Sequence, residues 1–298
     1  MDLQWRNFPL VITLAAGFAA VASLPSESAE SIPDLSGLWE HANPGFEPLA
    51  SGPTSLINRS RRPNGTADGL KLTGDYTNPI LKPEAAEIVK RHGERALNMG
   101  DPNPHNQCWL EGPPFVFTNH PNEIVQTRDE VVILYQDNSQ VRHVRMNQTH
   151  PAKLTASWYG DSVGHYEGDT LVIDTVGIKV GKYSMVDWYG TPHSEALHVV
   201  ERYRMLDYEA AKEGFQRDTK EYNEPRGMPA ANPEGKYLQL RFTVDDPNVF
   251  TTPWTSTMTF RYVGSNGLFD WQEQSCAENL FWYPGKLADA PRADKPDF

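Results

Sequence analysis

Two segments set acids and histidines among apolar β-formers: Gly164-His165-Tyr166-Glu167-Gly168-Asp169-Thr170-Leu171-Val172-Ile173-Asp174 and His193-Ser194-Glu195-Ala196-Leu197-His198-Val199-Val200-Glu201-Arg202-Tyr203. Side chains of a strand alternate between two faces, so a strand turned to a core is apolar at every second position. In Leu197–Met205 one face carries Leu197, Val199, Glu201, Tyr203 and Met205, and the other His198, Val200, Arg202 and Arg204. The first face is the more apolar and predicts an inward Glu201. A buried carboxylate takes a cationic partner or a raised pKa. Glu201 is therefore either ion-paired with an arginine of a neighbouring strand or a general acid or base in a pocket.

Val172, Asp174 and Val176 also share a face. That pattern is expected to put Asp174 inside the fold, beside Glu201 if the two strands are neighbours. Two adjacent carboxylates split their pKa values and supply an acid and a base. The alternative is an aspartate that caps the turn at Gly177. His165 shares a face with Glu167, and His193 sits in the loop Thr191-Pro192-His193-Ser194 that enters the next strand. Loops at a barrel mouth often carry site residues. The candidate catalytic set is thus Glu201 or Asp174 as base, with His165 or His193 as acid or orienting partner.

Trp158, Tyr159, His198 and Tyr203 are the candidate substrate-binding residues, since aromatic rings stack on ring-containing ligands. Trp254, Met258, Phe260 and Tyr262, at strand spacing, read as core. A metal site would draw on His143, His165, His193 and His198, whose spacing matches no established ligand set, and no metal is expected. Ser194 beside His193 lacks a G-x-S-x-G elbow, and adjacent residues of a strand face apart. Neither a phosphate loop nor a dinucleotide fingerprint occurs, so no cofactor is expected.

These residues must be held by strands. Hairpin-like segments at Glu123–Thr127, Glu130–Gln136 and Val141–Asn147 are followed by Ala156–Tyr159 and Gly164–Glu167. Gly168-Asp169 is a two-residue turn of the kind hairpins prefer, and Thr170–Val176 returns from it. Leu197–Met205, Lys236–Val244, Trp254–Tyr262 and Leu268–Gln274 complete the series, and Leu35–His41 is a first strand. Pro83–Leu97 is the best helix: Pro83 suits its first turn, Glu84 and Glu87 lie at the positive end of the dipole, and Lys90, Arg91 and Arg95 come later. A further helical turn is expected near Tyr208–Gly214 within an insertion spanning 207–235. Many consecutive strands joined by turns predict a mainly β fold, an antiparallel lipocalin-like β-barrel or a curved β-sandwich with an irregular N-terminal arm and one short helix.

The 298 residues leave room for one large β domain. We expect a signal peptide over 1–22, a linker over 23–33, a single barrel-like domain over 34–284 and a mobile tail over 285–298. Within the domain, 34–122 form the arm and helix and 123–284 the main strands. Phe8–Ala22 is nearly all apolar, too short for a comfortable membrane span, and ends in Ala20-Val21-Ala22, the small-x-small form of a cleavage site. This predicts a periplasmic or secreted protein with no stable membrane insertion after cleavage. A net charge of -12 argues against nucleic-acid partners and anionic membrane surfaces. The two cysteines, Cys108 and Cys276, read as one disulfide in an oxidising compartment. Closing so long a loop would stabilise the fold by about 5 kcal/mol in the chain-entropy model.

At these motifs the chain resembles a broad group of bacterial secreted proteins whose core reads W-E-G-D-T-L-V-V-D-T, then P-H-S-x-x-L-H-V-x-E-R. Here the core is Tyr166-Glu167-Gly168-Asp169-Thr170-Leu171-Val172-Ile173-Asp174-Thr175, then Pro192-His193-Ser194 through Glu201-Arg202. Asp246-Pro247, Pro253-Trp254 and Cys276-Ala277-Glu278-Asn279 resemble its later motifs. The likeness runs from about Asn78 to Asn279 and carries no activity with it. This chain departs from the pattern at Tyr166, which replaces a tryptophan, and after Cys108. It departs also at Asn147-Gln148-Thr149, where the group has Asp-Gly-Arg before His-Pro. A changed rim implies a changed ligand.

The expectation that follows is an exported enzyme doing cofactor-independent acid/base chemistry, as a lyase, dehydratase or isomerase. Its substrate would be an apolar or ring-containing small molecule held in a barrel pocket. A non-catalytic lipocalin-like binder and a histidine-based metallohydrolase are the alternatives.

Overall fold

The computed structural model describes residues 32–41, 43, 45–69, 71–99, 102–118, 121–222 and 232–263. The signal segment, most of the linker, strand 268–274, Cys276 and the tail lie outside them, and the expected Cys108–Cys276 bridge with them. Ten strands and two α-helices are present among the described residues. They are β1 (Gly37–Glu40), β2 (Glu47–Pro48), α1 (Pro83–Met99), β3 (Asn122–Gln126), β4 (Glu130–Tyr135), β5 (Gln140–Met146), β6 (Asp161–Glu167), β7 (Thr170–Val176), β8 (His198–Leu206), α2 (Tyr208–Tyr222), β9 (Tyr237–Asp245) and β10 (Trp254–Tyr262). No helix among the described residues is long and apolar enough to cross a membrane.

Nine strands close a mixed barrel in the order β1-β3-β4-β5-β6-β7-β8-β9-β10, with β10 pairing back to β1 and β2 added along β10. Neighbours are antiparallel except at one seam. There β5 and β6 run parallel and pair only at Arg145↔Val163 and Met146↔Gly164. At that seam Gly164 is packed so closely that a Cβ would lie 2.9 Å from both Met146 and Val144 side chains. The β6–β7 hairpin turns at Gly168-Asp169 as expected, with Gly168 at φ 59. The expected strand at Ala156–Tyr159 is a turn leading into β6 instead. Helix α2 runs well beyond the single turn anticipated near Tyr208–Gly214.

Alternation sorts the barrel's faces. Val131, Ile133 and Tyr135 of β4, Val199 and Tyr203 of β8, and Leu238, Leu240, Phe242 and Val244 of β9 all enter one core. Large side chains fill it: Trp39, Trp254, Phe242, Phe260, Tyr135 and Arg142 are each almost wholly buried. A 3₁₀ turn, Phe115–Thr118, adds to it with all four residues buried. The Phe117 ring packs edge-on against Phe242 and lies 5.9 Å from the Arg142 guanidinium.

Candidate active site

Glu201 points into the barrel, as its strand pattern predicts, and is fully buried. Its partner is Arg142 of β5, which reaches past β6 and β7. Arg142 donates from Nη1 to Glu201 Oε2 at 2.9 Å and from Nη2 to Oε1 at 2.5 Å. Its Nε donates to Ser162 Oγ at 3.2 Å, and the same Nη2 shares its second hydrogen between Thr175 Oγ1 at 2.7 Å and Ser162 Oγ at 3.1 Å. The Tyr203 hydroxyl donates to Glu201 Oε2 at 3.0 Å. Burial opposes the Arg142 charge, but Glu201 beside it outweighs burial and raises the guanidinium pKa. Burial, with the Glu201 charge adding to it, holds the Tyr203 hydroxyl far above its ordinary value. The arrangement is a saturated internal ion pair. A carboxylate that already accepts three hydrogen bonds moves a proton only after the pair opens.

Asp174 does not join it. The inner face of β7 is Leu171, Ile173 and Thr175, and the register sets Ile173 opposite Glu201 and Asp174 opposite Val200. The expected interior position of Asp174 is therefore corrected: its carboxylate lies on the outer wall, with a side chain 36% exposed. The cause is local. Leu171, Val172 and Ile173 are all apolar and all buried, so hydrophobicity alone did not say which face was inner.

On that wall Asp174 is the centre of a hydrogen-bonded series. His198 Nε2 lies 3.0 Å from both Asp174 oxygens. His150 Nε2 lies 3.0 Å from Asp174 Oδ1, and His150 Nδ1 lies 2.6 Å from Asp161 Oδ1. Arg145 closes the series, donating to both Asp161 oxygens at 2.7 and 3.0 Å. The loop after β5 supplies His150, the start of β6 Asp161, the outer face of β7 Asp174 and the start of β8 His198. Three of the sequence segments singled out above therefore meet here through His150-Pro151, Asp174 and His198.

Both His150 nitrogens face carboxylates, so both contacts are hydrogen bonds only when both nitrogens carry hydrogen. Burial works against the Asp174 charge, but hydrogen bonds from His198 and His150 prevail and lower its pKa. The hydrogen bond to Asp174 raises that of His198, with partial burial opposing. Arg145 lowers the pKa of Asp161. His198 Nδ1 has no hydrogen-bond partner among the described residues, and the side chain is 39% exposed. An imidazole backed by a carboxylate at one nitrogen and open at the other is equipped to take a proton.

The remaining candidates are scattered. His165 is exposed and contacts Glu167 at 3.1 Å, while Glu167 accepts from Arg202 at 2.6 Å. His193 is half-buried, with Nδ1 3.1 Å from the Ser194 carbonyl, and burial lowers its pKa. The Ser194 hydroxyl donates to buried Asp246 at 2.8 Å and has no contact with the His193 ring, so it fastens the loop. His143 contacts Glu130 at 2.7 Å. The four histidines of the metal reading thus have four different partners. Among the described residues no three of His, Cys, Asp or Glu are grouped to hold a metal ion.

Trp158 and Tyr159 are half-buried at one end of the barrel. Trp158 packs edge-on with Trp109 at 5.2 Å between centroids, Trp109 with Tyr183 at 5.6 Å, and the Lys179 ammonium lies 4.8 Å over the Trp158 ring. Tyr159 donates to Gln140 Oε1 at 2.7 Å. Tyr203 belongs to the interior ion pair and His198 to the outer series. Apart from these, an open cleft of about 460 Å³ lies between Gly52–Thr54, Asn78–Ile80 and Thr251-Thr252, and none of its lining residues is ionisable.

Sequence reasoning missed Arg142, His150 and Asp161. Arg142 had one visible signal: it shares a strand face with Val144 and Met146. His150 lay in the loop set aside as a changed rim.

No family model, curated protein or solved structure matches the chain.

Proposed function

We propose that the protein is an exported acid–base enzyme, with His198 as general base, Asp174 as the group that orients and charges it, and a ring-containing small molecule as substrate. The observation that carries this reading is the His198–Asp174 pair with its second nitrogen open to solvent. A histidine so placed removes a proton from a carbon or hydroxyl and returns it elsewhere, which is the step shared by isomerases, dehydratases and lyases. Asp174 stabilises the imidazolium that forms. The raised pKa of His198 makes it the stronger base, and its active neutral form gains population as pH rises above the ordinary histidine value. The signal-like N-terminus and the resemblance to a secreted group support export.

Proton abstraction can be read without knowing the product. In deuterium oxide the protein should exchange carbon-bound hydrogen of one or more members of a panel of ring-containing ketones and acids, followed by proton NMR. His198→Asn should lower that exchange by about a hundredfold or more. Equal exchange by the folded variant would end the assignment.

A non-catalytic binder is the second reading, favoured by the half-buried cluster of Trp109, Trp158 and Tyr183. It expects tryptophan quenching by the same panel that Trp158→Ala weakens and His198→Asn leaves intact, with no exchange.

A further inference from the structure

A second ionisable group lies under α2, on the side of β10 away from the core, and nothing in the proposed chemistry uses it. His41, which follows β1, Glu47 of β2 and Asp218 of α2 are all almost wholly buried. Glu47 Oε2 accepts from Thr257 at 3.3 Å, Thr259 at 3.1 Å and Arg217 Nη2 at 3.2 Å. Asn43 donates to Asp218 Oδ2 at 2.6 Å, and its carbonyl lies 2.6 Å from His41 Nδ1. The His41 ring packs on Phe260. Helix and wall approach closely: a Cβ on Gly214 would collide with the Thr259 hydroxyl.

Four polar atoms there are buried without a hydrogen-bond partner: His41 Nε2, Glu47 Oε1, Asp218 Oδ1 and Arg217 Nε. Three of them converge. His41 Nε2 is 3.7 Å from Glu47 Oε1 and 4.0 Å from Asp218 Oδ1, too far for direct hydrogen bonds but close enough for one charge to act on both oxygens. The one guanidinium, Arg217, pairs with Glu47 alone, so with His41 neutral the ionised Asp218 leaves the cluster with one uncompensated negative charge. Burying such a charge is strongly unfavourable, and a single proton removes it.

We propose that the His41–Glu47–Asp218 cluster is a proton-binding site that fastens α2 to the barrel wall. Protonation neutralises the cluster and seats the helix; loss of the proton loosens it. The titration directions agree. Burial opposes a proton on His41, but the charges of Asp218 and Glu47 outweigh it and raise its pKa. Burial, with Glu47 adding and His41 opposing, pushes Asp218 up to about 6. Both groups bind their proton more tightly in the folded chain than in the unfolded one. Their joint contribution is therefore largest in acid, falls as pH rises through about 6, and falls further as His41 deprotonates. The flanking charges are already paired, Arg61 with Glu221 at 3.0 Å and Arg261 with Glu40 at 2.7 Å, and the other side chains on the wall, Thr257, Thr259 and Phe260, do not titrate in this range.

Hydrogen–deuterium exchange of the full chain between pH 5 and pH 8, corrected for intrinsic rates, tests this. Protection of α2 amides should fall by about tenfold across the range, one pKa unit's worth of linkage, while β4 stays level. Asp218→Asn mimics the protonated acid and its amide oxygen still accepts from Asn43, so its α2 should show most of that dependence removed. Level wild-type protection overturns the proposal even if the variant does not fold, and so does an unchanged slope in a folded Asp218→Asn protein.

Discussion

The inner and outer surfaces of the same strands, β7 and β8, carry carboxylates in opposite situations. Inside, Glu201 accepts from both arms of the Arg142 fork and from Tyr203. Outside, Asp174 binds two histidines, and one of these, His198, keeps a nitrogen open to solvent. Burial alone marks Glu201 as the unusual acid. Counting its partners reverses the ranking, because reactivity needs a site left vacant on the donor or acceptor and Glu201 has little. The general lesson is that a buried ionisable residue on an apolar face reports an internal partner first and a catalytic role only after that partner is accounted for.

Three substitutions break or sharpen this contrast. Glu201→Gln leaves the Arg142 charge buried without its counter-charge and should lower unfolding free energy by about 3–5 kcal/mol in chemical denaturation. A loss under about 1 kcal/mol would show that the interior pair is not structural. Asp174→Asn should keep the fold, lower the exchange activity by about a hundredfold and shift the titration of His198, followed by NMR, back toward the ordinary histidine value. An unmoved titration would separate the two residues. His165→Ala should leave both the unfolding midpoint and the exchange activity unchanged, since its contact with Glu167 is solvent-exposed.

The outer pair also has a defined pH window. Asp174 has a lowered pKa, so its contribution is present above the unfolded carboxylate value and is lost as pH falls through the folded one. His198 has a raised pKa, so its contribution is complete below the unfolded histidine value and is lost as pH rises through the folded one. The ion pair is therefore strongest in mildly acidic solution. The base function of His198 grows on the alkaline side of that range.

Much of the barrel could be read from period two and turn residues. Val199, Glu201 and Tyr203 alternate with His198, Arg202 and Arg204 clearly enough to fix the inner face of β8, and Gly168-Asp169 marks the β6–β7 hairpin. On β7 the same rule failed, because three consecutive apolar residues erase the phase. The ion pair was legible from one side only. Glu201 announces a need for a cation, but its partner lies 59 residues earlier on a strand that is not adjacent. Local patterns carry no information about which side chains meet across a closed barrel. His150 was obscured differently: a histidine in a loop has no periodicity, and only the closing of the chain brings it to Asp174.

The parallel seam between β5 and β6 has a mechanical consequence. A hoop under tension opens where its joints are short, and here two backbone pairings hold the joint, as few as at the β1–β10 closure. Arg142 crosses it inside to Ser162, and Arg145 crosses it outside to Asp161. The two arginines act as rivets on either face of one plate. The outer rivet ends on Asp161, which His150 links to the carboxylate that backs His198.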